Sequence, residues 1–377
     1  MERTDIIIIG AGIAGASAGY ALSETVKVIL LERESQPGYH ATGRSAAVYT
    51  QAYGNRTIRA LTVGGYPFFT EPPQGFAEHP ILAPRGVMFV GRADQAADLD
   101  RAADEARQFV ASVERLTGEQ ACARVPILRP DVVAGGVLEP EAKDIDVHGL
   151  HQGYLRGLRH NGGTVTVNAD VLALDRDGAD WRIETKAGAF SAPVVVVAAG
   201  AWCDEIAALA GVAPIGLVPK RRTAFNFAAP EGAVIDAWPA VIGVAEDFYF
   251  KPDAGQFLGS PADETPMPPC DIQPDELDIA IAVDRIQQMA DIEIRRIAHK
   301  WAGLRSFVPD KTLVAGFDPD AAGFFWLAGQ GGYGIQTSRS MGRITAALAQ
   351  DQPIPSDLVD LGVEEAALSP KRFRAAA

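Results

Sequence analysis

The chain has 377 residues, of which 47% are apolar and 22% charged, proportions that fit a globular protein long enough for two intertwined domains. Its formal net charge of -14 repels phosphate backbones and excludes nucleic acid as the expected partner. Cys122, Cys203 and Cys270 are too widely spaced for a zinc pattern or a disulfide framework, and they fit a reducing compartment. The apolar run that follows Asp5 is too short for a signal peptide, and no run approaches the ~20 residues of a membrane span. The expected location is the cytoplasm, with contact at the inner membrane left open.

Residues 5–9 read as a β-strand that stops at glycine. An Ala-rich helix over 12–22 and a second apolar strand over 26–31 follow, the punctuation of a βαβ unit. Residues 99–116 alternate acidic, basic and apolar side chains at helical spacing and predict an exposed helix. Residues 150–159 predict another, stopped by Gly162-Gly163. Strands are expected over 164–175 and 181–185, turning at Asp177-Gly178, and over 193–198. Short β-like runs follow at 222–227, 248–251 and 257–259. A helix is expected over 275–289, strands over 301–307 and 324–328, and a last helix over 337–348.

Gly10-Ala11-Gly12-Ile13-Ala14-Gly15 is a GxGxxG between a strand and a helix. Gly10 permits the tight turn, Gly12 lets the backbone approach a pyrophosphate, and Gly15 lets helix and strand pack closely. The free N–H groups and the helix dipole favour phosphate. Glu32 ends the second strand, where an acid accepts from a ribose hydroxyl, with Arg33 beside it. This element predicts dinucleotide binding without separating FAD from NAD.

Four further stretches carry a resemblance: Gly38 to Ala47, Val194 to Trp202, Trp301 to Ser306, and Gln330 to Ser338. Their order resembles the D-amino acid oxidase superfamily of flavoproteins over essentially the whole chain, with bacterial D-arginine dehydrogenase as the nearest branch. The resemblance implies an α/β fold: a Rossmann-like FAD-binding domain (1–82, 145–215 and 308–377) interleaved with a β-sheet-rich, α+β substrate domain (83–144 and 216–307).

It also implies site residues. Thr42, Gly43, Arg44, Ser45, Ala46 and Ala47 would line the diphosphate and flavin edge. Val171 would meet the adenine, and Ala199, Gly200 and Trp202 would run beside the cofactor. Gly303, Gly331, Gly334, Ile335, Gln336 and Thr337 would surround the ring, the last three as donors at the N-terminus of the last helix. Some relatives attach flavin through Cys or His. The final stretch contains neither, so FAD is expected to be non-covalent.

Arg222 and Arg305 match two positions that bind a substrate carboxylate, a task suited to planar bidentate guanidinium. Tyr53 and Tyr249 match tyrosines lining the pocket, and Gly332 a carbonyl facing the substrate amine. The alternative reading of the arginines is structural ion pairs, and isolated tyrosines are more often packing residues. Thr50 to Arg56 reads as a mobile lid. Val48 and Val87 stand where the D-arginine branch has a histidine and an acid. They imply an apolar wall and weak use of D-arginine and D-lysine, unless they serve packing alone.

No metal cluster, Ser-His-Asp array or carboxylate pair appears; His148 and His151 read as solvated or capping. The expected reaction is FAD-dependent oxidative deamination of an apolar or small D-amino acid to an imino acid, then a 2-oxo acid and ammonia. Oxidation of glycine, sarcosine or another secondary amine remains open, as does a non-catalytic flavin subunit. The expected partner is a small amino acid. The electron acceptor (quinone, another carrier or dioxygen) is not set by these motifs.

Overall fold

A computed structural model describes residues 1–374. Residues 375–377, the end of the expected cofactor domain, lie outside the described residues.

Ile6–Ile9, Val28–Leu31 and Val194–Val197 are wholly or almost wholly buried. They are apolar at every position because they lie inside a sheet covered on both faces. That sheet runs Thr164–Thr166, Val28–Leu31, Ile6–Ile9, Val194–Val197, Phe324–Ala328, Val314–Phe317. All its pairings are parallel except the last. The helix Ile13–Leu22 is apolar on all sides, as a helix enclosed by neighbours must be. Small residues let its partners close in. A Cβ on Gly19 would lie 2.8 Å from Leu158, and one on Gly342 2.6 Å from the Ser17 carbonyl.

A larger sheet contains Val218–Ala228, paired on one side with Ile297–Phe307 and on the other with Gln256–Ser260. It continues through Tyr249–Asp253, Ala240–Gly243, Val87–Gly91 and Gly135–Glu139 to Glu114–Thr117. Alternation divides its faces. Met88, Leu138, Phe225, Val241 and Phe250 form one core with Ile279, Ala282 and Ile286 of the helix Glu276–Met289. The ladder register puts Val87, Phe89, Glu139, Ile242, Tyr249, Arg222 and Arg305 on the opposite face. A small sheet of Val48–Tyr49, Lys143–Ile145 and Leu82–Pro84 lies where the two large layers meet.

The expected βαβ start and the elements near 194–197, 276–289, 324–328 and 338–348 are present. The expected helix over 99–116 is corrected: a helix spans Ala96–Arg107, and Glu114–Thr117 is a strand. Val110 and Val113 turn inward with Leu99 and Ala103, so the chain folds back on its helix. The single strand expected over 164–175 is two, Thr164–Thr166 and Val171–Asp177, in different sheets. Asn168, at φ +54°, makes the corner between them. The helix Arg56–Thr70 was not foreseen. Its cap, Asn55, accepts from the Ile58 N–H at 3.1 Å.

Candidate active site

A cavity of about 390 Å³ opens at the carboxyl ends of Ile6–Ile9 and Val194–Val197. Gly10, Gly12, Ile13, Ala14, Glu32, Arg33, Thr42, Arg44, Val171, Ala199, Gly200, Trp202 and Gly331 line it. Gly10 sits at φ +103°, and a Cβ there would lie 2.5 Å from the Ala198 carbonyl. Gly15 supports this turn from behind, its hydrogen facing the Gly10 carbonyl where a methyl group has no room.

Glu32 is buried at the cavity edge, accepting from the Ala11 and Glu34 N–H groups, each at 2.9 Å. Burial raises its carboxyl above the usual range, against the pull of those two bonds. The Thr42 hydroxyl accepts from the Ile13 N–H at 2.9 Å and ties the loop to the first helix. The Arg33 guanidinium lies 5.1 Å from the Trp202 ring, and His40 packs on the same ring.

Other expected cofactor residues take supporting positions. Gly43 donates its N–H to Gly38, and Ser45 donates to Thr42, which shapes the loop. Ala46 precedes Ala47, whose carbonyl accepts from Ile145 at the small sheet. The Arg44 guanidinium is committed to the Ala302 carbonyl at 3.1 Å and to Asp271 at 2.5 Å. Gly303 faces the Arg44 stem, and Gly334 faces Gln330 and Ile13.

The last helix begins at Ser338, so Gly331 to Gly334 do not open it but form the turn that approaches it. The Thr337 N–H and hydroxyl both donate to the Tyr333 carbonyl, at 3.1 and 2.9 Å, so Thr337 offers no spare donor. The Gln336 amide is engaged with Thr50 and Thr62. The backbone N–H groups of Ile335 and Gln336 have no acceptor among the described residues.

His151, expected to be solvated or capping, is instead buried. It donates through Nε2 to the Ala11 carbonyl at 2.8 Å, and burial lowers its affinity for a second proton. Only its place on the inner face of a helix could have signalled this.

The cavity fits a dinucleotide on two grounds. Gly10, Gly12, Gly200 and Gly331 leave its wall without side chains, and a Cβ at Gly10 would strike the Ala198 carbonyl. Ser306 Oγ and Gln330 Nε2, on its lining, are buried without a hydrogen-bond partner. A bound polar ligand is the ordinary remedy for such atoms.

Beyond Gly331 the large sheet presents its charged face. Arg305 lies opposite Lys220 and Arg222 opposite Gly303, so both guanidiniums project from one face. Arg222 Nε donates to the Asp263 carbonyl at 2.9 Å, and its Nη2 approaches Glu264 at 3.5 Å. Burial, then Arg305 nearby, lowers its affinity for its proton. The Arg305 guanidinium has no hydrogen-bond acceptor among the described residues. Burial pulls its pKa down, but Tyr249, Tyr53, Tyr333 and Glu264 outweigh that and the net shift is upward.

A Cβ on Gly332 would lie 2.9 Å from Arg305 Nη1 and 3.5 Å from the Tyr53 hydroxyl, so the three converge. Tyr53 packs on Tyr333 with ring centroids 5.0 Å apart. Val48, Val87, Phe89 and Ile242 form an apolar cluster, and Ile242 pairs with Tyr249. Tyr333, Phe89, Ile242, Glu264, Ser306 and Gln330 were not singled out in the sequence. Tyr333, Ser306 and Gln330 lie in stretches that carry the family resemblance, whereas Phe89, Ile242 and Glu264 sit in runs with no chemical signature.

A family model described as DAO, FAD dependent oxidoreductase, matches residues 5–348. The N-methyl-L-tryptophan oxidase of Escherichia coli O139:H28 is 24% identical over 94% of this chain and 97% of its own. Glycine oxidase from Geobacillus kaustophilus has a similar structure, with TM-score 0.83 and 22% identity over 94% of this chain and 96% of that one. L-proline dehydrogenase from P. horikoshii follows, with TM-score 0.80 and 19% identity over 99% and 98%. The fold is therefore of the glycine oxidase type. These relatives support the family and not the D-arginine branch within it.

Proposed function

Because the chain belongs to the DAO family of FAD-dependent oxidoreductases, its cofactor is FAD, and we propose that it oxidises a small amino acid at the amine-bearing carbon, with apolar D-amino acids preferred. The observation that carries this reading is Arg305: a half-buried guanidinium without a protein acceptor among the described residues, beside Gly332 and Tyr53. A cation so placed calls for an anionic ligand.

FAD, when bound, supplies the acceptor for the hydride that leaves the substrate Cα. Arg305 and Arg222 hold the carboxylate from one sheet face, and the Tyr53 and Tyr249 hydroxyls add donors to it. The Gly332 carbonyl accepts from the amine. That fixes the Cα–H direction and leaves the chemistry mostly a matter of orientation. Val48, Val87, Phe89 and Ile242 face the side chain and offer a cationic tail no partner. Leaving such a tail unpaired costs a few kcal/mol, roughly a hundredfold in affinity. The imino acid product hydrolyses to a 2-oxo acid and ammonia. Residues 331–338 contain neither cysteine nor histidine, so we take FAD to be held without a covalent bond.

A second reading, oxidation of a secondary amine, is favoured by the names of the relatives, which include an N-methyl amino acid oxidase and an L-proline dehydrogenase. The test is anaerobic mixing with D-alanine, D-leucine, D-arginine, sarcosine and L-proline while following the oxidised flavin band. Bleaching by D-alanine and D-leucine but not D-arginine supports the first reading. Bleaching by sarcosine or L-proline alone replaces it with the second. Bleaching by none overturns both.

A further inference from the structure

Glu139 ends the strand Gly135–Glu139 and faces Val87 across the ladder, on the sheet face that carries Tyr249, Arg222 and Arg305. It is 6% exposed, and no cation pairs with it among the described residues. Both of its oxygens are nonetheless engaged. Oε2 accepts from the Thr50 hydroxyl at 2.5 Å, and Oε1 accepts from the Gln51 N–H at 3.0 Å. Gln336 grips Thr50 as well, donating through Nε2 to the Thr50 carbonyl at 3.3 Å. At the other end, Asn55 Nδ2 donates to the Thr312 hydroxyl at 2.8 Å. Between these anchors the chain turns through Gly54, at φ +89°, and Tyr53 projects to Arg305 and Gly332.

We propose that Glu139 is a positioning residue: its carboxylate latches Thr50 and Gln51 to the large sheet and so sets Tyr53 beside Arg305. The segment expected to be a free lid is on this account a fastened one. The proposal rests on the reading that Tyr53 and Arg305 receive the substrate carboxylate.

A carboxylate opposite Val87 could also serve as counter-ion to a cationic substrate tail. Its two committed oxygens argue for the latch. Burial raises the Glu139 carboxyl above its usual range, against the bonds from Thr50, Gln51 and Ala52, and the neighbouring Glu141 adds to the rise. The other ionisable groups facing it are Arg59, from the helix Arg56–Thr70, and Tyr49. Protonation turns one oxygen from acceptor to donor and removes the charge that strengthens both bonds. The latch is therefore tightest above the raised pKa and loosens as pH falls through it.

The test compares the FAD-loaded wild type with Glu139→Gln, Glu139→Asp and Thr50→Val. Amide exchange of residues 50–54 is followed from acidic to neutral pH, each rate divided by the intrinsic rate at that pH. Saturation with D-alanine and D-arginine is measured alongside. In the wild type, protection of the Gln51 amide falls as the solution is acidified; in Glu139→Gln it is lower and flat, and Glu139→Asp restores part of the slope. KM for D-alanine rises about tenfold or more in Glu139→Gln, the effect of losing a bond to a charged group, while kcat changes far less. Thr50→Val shows a smaller rise of the same kind, which keeps the test open if Glu139→Gln fails to fold. An unchanged acid slope in Glu139→Gln overturns the proposal, as does a selective loss of D-arginine turnover with D-alanine untouched. Should no amino acid reduce the flavin, the functional reading falls, and the exchange profile still decides the latch.

Discussion

Replacing Arg305 by methionine should separate binding from folding. The guanidinium donates to no protein acceptor among the described residues, so its removal breaks no internal hydrogen bond, and methionine retains much of the apolar stem. It also relieves the repulsion that Arg305 exerts on Arg222. Stability should therefore change by less than about 1 kcal/mol. A substrate carboxylate would lose two charge-assisted bonds at roughly 1.5–3 kcal/mol each, a factor of about 10² to 10⁴ in kcat/KM. Arg222 provides the contrast, because Arg222→Met also strips the Asp263 carbonyl and Glu264 of a donor. That variant should lose about 1–3 kcal/mol of stability in addition to activity. The assay pairs denaturant unfolding of the holoprotein with anaerobic flavin reduction by D-alanine. An Arg305→Met variant that unfolds well before the wild type, or that keeps its kcat/KM within tenfold, would refute the reasoning.

Gly15→Ala should yield colourless protein, since its methyl group collides with the Gly10 carbonyl and displaces the phosphate turn; flavin absorbance per protein checks this. Glu32→Gln should flatten the pH dependence of apoprotein stability. The raised Glu32 carboxyl keeps a proton that the unfolded chain sheds near pH 4.5, so wild-type stability falls as pH rises from there through the folded value; thermal midpoints across that window decide it. Val87→Glu should raise the D-arginine to D-alanine ratio of kcat/KM by about tenfold or more, by giving a cationic tail a partner; an unchanged ratio in a folded variant removes Val87 from the specificity wall. Arg374→Met should cost roughly 2–4 kcal/mol in denaturant unfolding, because Asp318 is fully buried and would keep only the Trp326 and Asp320 N–H groups as donors.

The cofactor half was legible because its chemistry is local. Gly10 and Gly15 shape the turn through their own backbone, and Gly12 and Glu32 reach the cavity from that turn and from the end of the next strand, so spacing alone carries their placement. The last helix was placed to within one residue, but Thr337 was expected as a donor at its start, and only tertiary structure shows the turn of Gly331 to Gly334 whose Tyr333 carbonyl takes both of its donors. The return of the chain after Arg107 was hidden for a related reason. Residues 108–113 keep a helical apolar spacing, and it is the pocket beneath Leu99 that draws Val110 and Val113 inward. The large sheet was read only in fragments. Its strands meet across long stretches of chain, so Glu139 facing Val87, or Gly303 facing Arg222, is a matter of register that no single segment encodes.

One strand joins the two halves. Within Ile297–Phe307, Gly303 rests on the loop that carries Thr42 and Arg44, and the Trp301 Nε1 donates to the Arg44 carbonyl at 3.0 Å. Two residues on, Arg305 reaches Gly332 and Tyr53. The next residue, Ser306, lines the cavity, accepts the Gly331 N–H at 2.9 Å through its carbonyl and keeps a buried hydroxyl without a partner. A β-strand advances about 3.3 Å per residue and turns its side chains alternately. Neighbouring positions of one rigid element can therefore hold the Thr42–Arg44 loop, the proposed substrate cation Arg305 and the Gly331 turn at fixed spacing. Oxidation by direct hydride transfer needs donor carbon and acceptor ring held at close range and in one orientation. A single strand contacting both sites meets that need with fewer moving joints than two separately anchored loops.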